Sequence, residues 1–225
     1  MQPNMSTLSE STEMYLITIF RLADKRTEVH VTDIAEMLNL HHSSVSEKIK
    51  RLREQGYVDN NESSIYLTES GKQIAINVLR KHRLIKAFLV NMIDYPIDEV
   101  YDEACRLEHV ISERLTDGLE KLLDYPDVDP HGYPIPRPDG TIHAIQYKTL
   151  NDLTIGDQAV VRRVDALQHE KLSYLKQLGL VPGTRITITA IEPFDGPLLL
   201  DVGQKTVAIA PSLAQEIEVD RIETH

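Results

Sequence analysis

Val31-Thr32-Asp33-Ile34-Ala35-Glu36-Met37-Leu38, then Asn39-Leu40-His41-His42, then Ser43-Ser44-Val45-Ser46-Glu47-Lys48-Ile49-Lys50-Arg51-Leu52-Arg53-Glu54-Gln55-Gly56 read as two short helices joined by a tight turn. Apolar residues recur three and four apart in both; Thr32 is the expected cap of the first helix, and Gly56 stops the second. Such a pair is a helix-turn-helix, whose second helix enters the major groove of DNA. That helix opens on hydroxyls that can meet phosphates or base edges, Ser43, Ser44 and Ser46. Farther along, Lys48, Lys50, Arg51 and Arg53 outnumber Glu47 and Glu54. The expected contacts to double-stranded DNA are therefore Ser43, Ser44, Ser46, Glu47, Lys48, Lys50 and Arg51.

Working outward, Tyr57-Val58-Asp59 and Ile65-Tyr66-Leu67 flank Asn60-Asn61-Glu62-Ser63-Ser64, a hairpin that completes a winged helix. Upstream, Ser9-Glu10-Ser11-Thr12-Glu13 leads into Met14-Tyr15-Leu16-Ile17-Thr18-Ile19-Phe20-Arg21-Leu22, which has helical spacing. Downstream, Thr68-Glu69-Ser70-Gly71 caps a long helix from about Lys72 to Met92, and Tyr95-Pro96 ends it. Ile97-Asp98-Glu99 opens a second helix, and a third runs from about Ser112 to Leu123. Two long antiparallel helices with little else to cover them predict a homodimer, which two helix-turn-helix units need to reach paired half-sites.

The second of those helices carries Asp102-Glu103-Ala104-Cys105-Arg106-Leu107-Glu108-His109. Residues three and four apart share a helix face, so Cys105, Glu108 and His109 point the same way. A thiolate, a carboxylate and an imidazole suit a divalent transition ion; magnesium and calcium want oxygen ligands. The bland alternative is a buried cysteine on an amphipathic helix.

Composition narrows the function classes. The chain has 225 residues, a formal net charge of −11 and one Cys, which excludes an internal disulfide framework. Neither an apolar run of membrane length nor a signal peptide is visible, so a cytoplasmic protein with no membrane partner is expected. The acidic balance argues against nucleic-acid binding over the whole surface and leaves room for one basic face.

Tyr125 to Gly140 is dense in proline and glycine and can hold no long helix. Beyond it, residues 158–164, 184–191, 198–202, 206–209 and 216–219 read as short strands with Gly or Pro turns, enough for a small barrel. Leu172 to Gly183 inserts a short helix with a Gly stop. The expected fold is mainly α with a C-terminal β domain. Its parts are a winged helix-turn-helix over 1–72, a helical dimerisation and metal-binding domain over 73–125, a Pro-rich linker over 126–148 and an SH3-like domain over 149–225.

The order of Thr12-Glu13-Met14-Tyr15-Leu16, the winged helix, Arg80-Lys81-His82-Arg83-Leu84, the Cys105 motif and Pro130-His131-Gly132-Tyr133-Pro134-Ile135-Pro136 resembles the diphtheria toxin repressor family of metal-dependent regulators. The likeness spans nearly the whole chain and ends in an SH3-like domain of the type also seen in FeoA. It implies a repressor of metal-homeostasis genes that binds a palindromic operator. In the iron-responsive branch, it implies an Fe(II) ligand set of Met14, Cys105, Glu108 and His109, bridging the DNA-binding and dimerisation domains. Co(II), Ni(II) or Zn(II) would substitute in vitro. The runner-up ion is Mn(II), although the manganese sensors place carboxylates where this chain has Met14, Ile17 and Cys105.

The resemblance also implies a second metal site, and here the chain departs from the pattern. His82 is retained, but Lys86 and Tyr101 replace a Glu and a His. An ammonium only donates and repels a cation, so this site is expected to be weak, with His169 and Glu170 as the remaining candidates. Two readings of Lys86 stand side by side: it pairs with an acidic group of the C-terminal barrel such as Glu170, or it projects into water. Two other classes use the same residues. A thiol redox sensor would use Cys105 activated by Arg106; a metallo-hydrolase would activate water at a Cys, Glu and His site, but four protein ligands leave little open coordination and no nucleotide loop or nucleophile elbow is present, so an enzyme is not expected.

Overall fold

Ser9 caps the first helix, α1 (Glu10–Lys25), by accepting from the Thr12 amide at 3.3 Å. The helix-turn-helix is α2 (Val31–Leu38) and α3 (His42–Glu54), with Asn39 in the left-handed conformation between them. Thr32 is not the cap of α2: His30 precedes the helix, and its amide donates to the Asp33 carboxylate at 2.7 Å. The carboxylate three residues on thus takes the orphan amide that a Thr32 cap would have left to water. The wing is β1 (Val58–Asn60) against β2 (Ile65–Leu67), antiparallel, with Asn60 opposite Ile65. The computed structural model describes residues 8–61, 64–164 and 169–222, so Glu62 and Ser63 of the expected hairpin lie outside the described residues.

The chain divides into two compact units. One takes in the chain through His82, with Glu108–Ile111 and Pro136–Thr141; the other takes in Arg83–Leu107, Ser112–Ile135 and the chain from Ile142. In the first, Leu16, Ile19, Ile34, Val45 and Leu52 meet in one core with Val58 of the wing. Each such side chain contributes about 1.5–3 kcal/mol by leaving water. The first turn of the long helix α4 (Glu69–Ile93) presses on the backbone: a Cβ on Gly71 would lie 2.0 Å from the Tyr57 carbonyl oxygen, so only glycine fits. Thr68 caps that helix, its hydroxyl accepting from the Gly71 amide at 3.2 Å.

The second unit holds the rest of α4, then α5 (Val100–Glu108) through Leu107 and α6 (Glu113–Leu122). The expectation of two long antiparallel helices fails here, because Asp94 turns left-handed after α4 and Pro96 to Glu99 form a turn, leaving α5 nine residues. Residues 126–147 make an extended strap with no helix, as the prolines require. A six-stranded antiparallel sheet follows: β3 (Lys148–Thr149), β4 (Gln158–Val164), β5 (Arg185–Ile191), β6 (Leu198–Val202), β7 (Lys205–Ile209) and β8 (Ile217–Arg221). Their spatial order is β3-β8-β4-β5-β6-β7. A 3-10 turn (Leu150–Asp152) and helices α7 (His169–Gln177) and α8 (Pro211–Ala214) accompany the sheet, and Leu172 and Leu175 of α7 join Val161, Ile188 and Leu200 in the core. The five strands expected from alternation are all present; β3 is the addition.

The strap fastens to this sheet at one glycine. Gly132 has φ +88°, and a Cβ there would stand 1.8 Å from the Arg162 carbonyl oxygen of β4. The Val164 amide donates to the His131 carbonyl at 3.1 Å, so strap and strand run in hydrogen-bonding contact.

Candidate metal centre and nucleic-acid interface

Glu108, the last residue of α5, is buried and takes imidazoles from two directions. His82 of α4 donates from Nδ1 to its Oε2 at 2.6 Å, and Nε2 of His109 lies 3.3 Å from its Oε1. His109, in the turn just past α5, also donates from Nδ1 to Oε2 of Glu13 on α1 at 2.7 Å. The result is a line of four groups, Glu13, His109, Glu108 and His82. Burial pushes the Glu108 carboxyl up, but hydrogen bonds from His109 and His82 outweigh it and hold the group down at about 2. Burial opposes charge on His109 as well, yet Glu108 and Glu13 raise its pKa to about 9. Its ring is a cation at neutral pH, with both nitrogens donating.

Cys105 stands one turn before Glu108 on α5, half-buried. Ligand atoms of His82, Cys105 and Glu108 lie within 4.8 Å of one another. Sulfur, oxygen and nitrogen donors at that spacing fit a transition ion, and poorly fit calcium or magnesium. Met14 follows Glu13 on α1 and packs, half-buried, against the first unit's core. Ile17 is buried. Arg106, the cation that a reactive thiol would need beside it, is exposed and pairs with Glu103 at 2.7 Å.

Two expectations about the second site need correction. His82 does not stand apart from the Cys105 motif; it is bonded to Glu108, because α4 presents it to the end of α5. Lys86 pairs with Asp129 of the strap at 2.5 Å, not with Glu170, which is exposed on α7. The buried ammonium takes the carboxylate that the strap carries to it. The His169 side chain lies outside the described residues. Sequence reasoning missed Glu13, which sits beside Met14, and the Asp129 and His131 pair, which a turn closed by the Gly132 amide on the Asp129 carbonyl at 2.9 Å brings together.

The recognition helix offers one exposed face. Ser43, Ser44, Glu47, Lys50 and Arg51 are exposed on α3, while Val45, Ile49 and Leu52 are buried beneath. Ser46 and Lys48 are half-buried. Arg51 and Glu47 form an ion pair one turn apart in the middle of that face. Lys48 turns back on α1: its ammonium donates to the Thr12 hydroxyl at 3.0 Å and lies 5.9 Å from the Tyr15 ring centre. Burial and the nearby Arg51 charge both lower its pKa. Thr12 and Glu13 are neighbours, so one turn of α1 touches both the recognition helix and His109.

Comparison with known proteins follows the same division. The profile described as "Iron dependent repressor, N-terminal DNA binding domain" matches residues 7–64. "Iron dependent repressor, metal binding and dimerisation domain" matches 68–137, and "FeoA domain" matches 148–221. The iron-dependent repressor IdeR of Mycobacterium tuberculosis (strain ATCC 25618 / H37Rv) is 32% identical over 97% of this chain and 100% of its own length. The diphtheria toxin repressor of Corynebacterium efficiens is 31% identical, covering 97% and 99%. Among solved structures, a manganese-dependent transcriptional repressor in complex with manganese aligns with a TM-score of 0.83 and 33% identity, over 94% of this chain and 100% of that one. Among the described residues no helix is long and apolar enough to cross a membrane.

Proposed function

The chain belongs to the diphtheria toxin repressor family of metal-dependent transcriptional repressors, and from that premise we propose that its activating ion is Fe(II), held by Met14, Cys105, Glu108 and His109. The carrying observation is the donor cluster at Glu108: the Cys105 thiol, the Glu108 carboxylate and the His82 imidazole lie within 4.8 Å of one another, and Nε2 of His109 is 3.3 Å from Glu108 Oε1. Soft sulfur beside nitrogen and oxygen favours Fe(II) over an all-oxygen ion. Met14, Cys105, Glu108 and His109 would hold a divalent ion, which would supply there the positive charge these donors share. To coordinate it His109 would give up its ring proton and Cys105 its thiol proton, Glu108 would stay ionised, and Glu13 would lose the imidazolium it holds at 2.7 Å. The first turn of α1 would then be released from one partner while Thr12 keeps Lys48 of the recognition helix. Two such chains form a homodimer that presents Ser43, Ser44, Ser46, Glu47, Lys48, Lys50 and Arg51 of each α3 to a palindromic operator. Metal and DNA binding become positively linked. The domain limits proposed are 1–72, 73–125, 126–148 and 149–225.

One observation favours Mn(II) as a second reading: Glu13 brings a carboxylate oxygen to His109, and a hard oxygen donor suits that ion. The test is anaerobic titration with Fe(II) and Mn(II) separately, with operator binding followed by mobility shift. Tighter operator binding at lower free Fe(II) supports the iron reading. Equal DNA affinity after chelation refutes metal activation.

A further inference from the structure

Four residues after His82, α4 carries a charge into the interior. Lys86 is 3% exposed, and an ammonium is seldom so deep unless it is paired. Its Nζ lies 2.5 Å from Asp129 Oδ2 and 3.2 Å from His131 Nδ1. Asp129 and His131 are 3% and 0% exposed. The roles follow from the far side of the imidazole ring. His131 Nε2 is 3.0 Å from the Ile97 carbonyl oxygen, which can only accept, so Nε2 carries the hydrogen. Nδ1 then presents a lone pair, and the ammonium donates to it. A carboxylate oxygen and an imidazole lone pair therefore converge on one point, which is how these two groups present themselves to a divalent ion.

The surroundings are built to hold that arrangement. The Asp129 carboxylate accepts from the amides of His131 at 2.9 Å and Tyr133 at 3.0 Å, which fixes the turn. The Tyr133 ring faces Lys86 Nζ at 6.0 Å and the guanidinium carbons of Arg83 and Arg163 at 5.3 Å each. Gly132 is clamped on the Arg162 carbonyl. Burial pushes the Asp129 carboxyl up, but the Lys86 charge leads the groups that bring it down to about 2, so it is ionised.

We propose that Lys86 is a built-in cation: its ammonium fills a cation site formed by Asp129 and His131, and it fastens the strap and the sheet behind it to α4 without a second metal ion. On the proposed function, the metal response is thereby confined to the centre at Glu108. The strap linkage itself does not depend on that reading.

The test uses the full chain with Mn(II) as the probe. In metal-free buffer the amides of 129–135 exchange at least roughly tenfold faster in Lys86→Gln than in wild type, because the buried carboxylate has lost its cation. Lys86→Glu takes up one Mn(II) per chain more than wild type, and that added ion disappears when His131→Ala is combined with it. The count is repeated with Cys105→Ala also present. An ion gained there cannot belong to the proposed activating centre, so failure of one idea is distinguishable from failure of the other. Unchanged exchange in Lys86→Gln, or no added ion in folded Lys86→Glu, overturns the proposal. Wild-type strap amides that Mn(II) itself protects through His131 overturn it as well.

Discussion

Two clusters of carboxylate and imidazole begin one turn apart on α4, and they differ in where their positive charge comes from. At His82, Glu108, His109 and Glu13, the charge is a proton on His109, which on the proposed function a metal ion would replace. At Lys86, Asp129 and His131 the charge is covalently attached to the chain. An exchangeable charge would make the first a sensor; a tethered one would make the second a fastening. The same residue types therefore serve opposite ends, according to whether the cation can leave.

The largest effect that would break this comparison is on stability. Lys86→Met should cost about 3–5 kcal/mol in urea unfolding of the metal-free protein, since it strands the buried Asp129 carboxylate. Adding Asp129→Leu should recover most of that loss. A Lys86→Met protein as stable as wild type would mean that the strap is not fastened by charge. Next is Glu108→Ala, which removes the group shared by both imidazoles. It should lower metal-dependent operator affinity by about 100-fold or more, because even the outer partners of metal ligands are worth about 10–100-fold. Mobility shifts with and without chelator would show it, and a full metal response in this variant would move the centre elsewhere.

A smaller effect lies in pH. His109 is raised from 6.5 to about 9, so its stabilising contribution is complete below pH 6.5 and is lost as pH rises through 9. Metal-free protein should therefore weaken over that alkaline window. Asp129, lowered from 3.8 to about 2, contributes above pH 3.8 and is lost only as pH falls through 2. Metal binding near pH 7 should release about two protons, one from the His109 ring and one from the Cys105 thiol, countable by calorimetry in buffers of different ionisation enthalpy. In Cys105→Ala about one proton should remain, and none released there would mean that His109 is not displaced. The smallest effect is at the recognition helix. Glu47 pairs with Arg51 on the exposed face, so Glu47→Gln should change base preference by about 1–3 kcal/mol at one position of a selected operator. An unchanged operator sequence would exclude Glu47 from base reading.

The winged helix was legible because its signals are local: apolar spacing in α2 and α3, and alternation around a short polar turn. β3 was not, since two residues carry no periodicity and its partner β8 lies some seventy positions along the chain. Cys105, Glu108 and His109 could be grouped from spacing alone, because the helix repeat sets which side chains share a face. Glu13 could not, because its contact with His109 spans 96 residues and depends on how α1 packs. Lys86 is foreign to a metal site by its chemistry, but nothing local in the sequence points to its partner, which lies 43 residues on in the strap. Asp129 and His131 sit among prolines, whose pattern tells what the chain cannot form and not what it holds.

The tethered ammonium also bears on the shape of the response. A chain that must take up two ions before it acts answers to the square of the ion concentration, whereas one that takes up a single ion answers to its first power. If Lys86 takes the place of one of those ions, each subunit of the proposed dimer would need one ion and not two, and the chain would exchange steepness for range. Its output would then be graded over a wider span of metal supply, and the fastening of strap to α4 would be indifferent to scarcity.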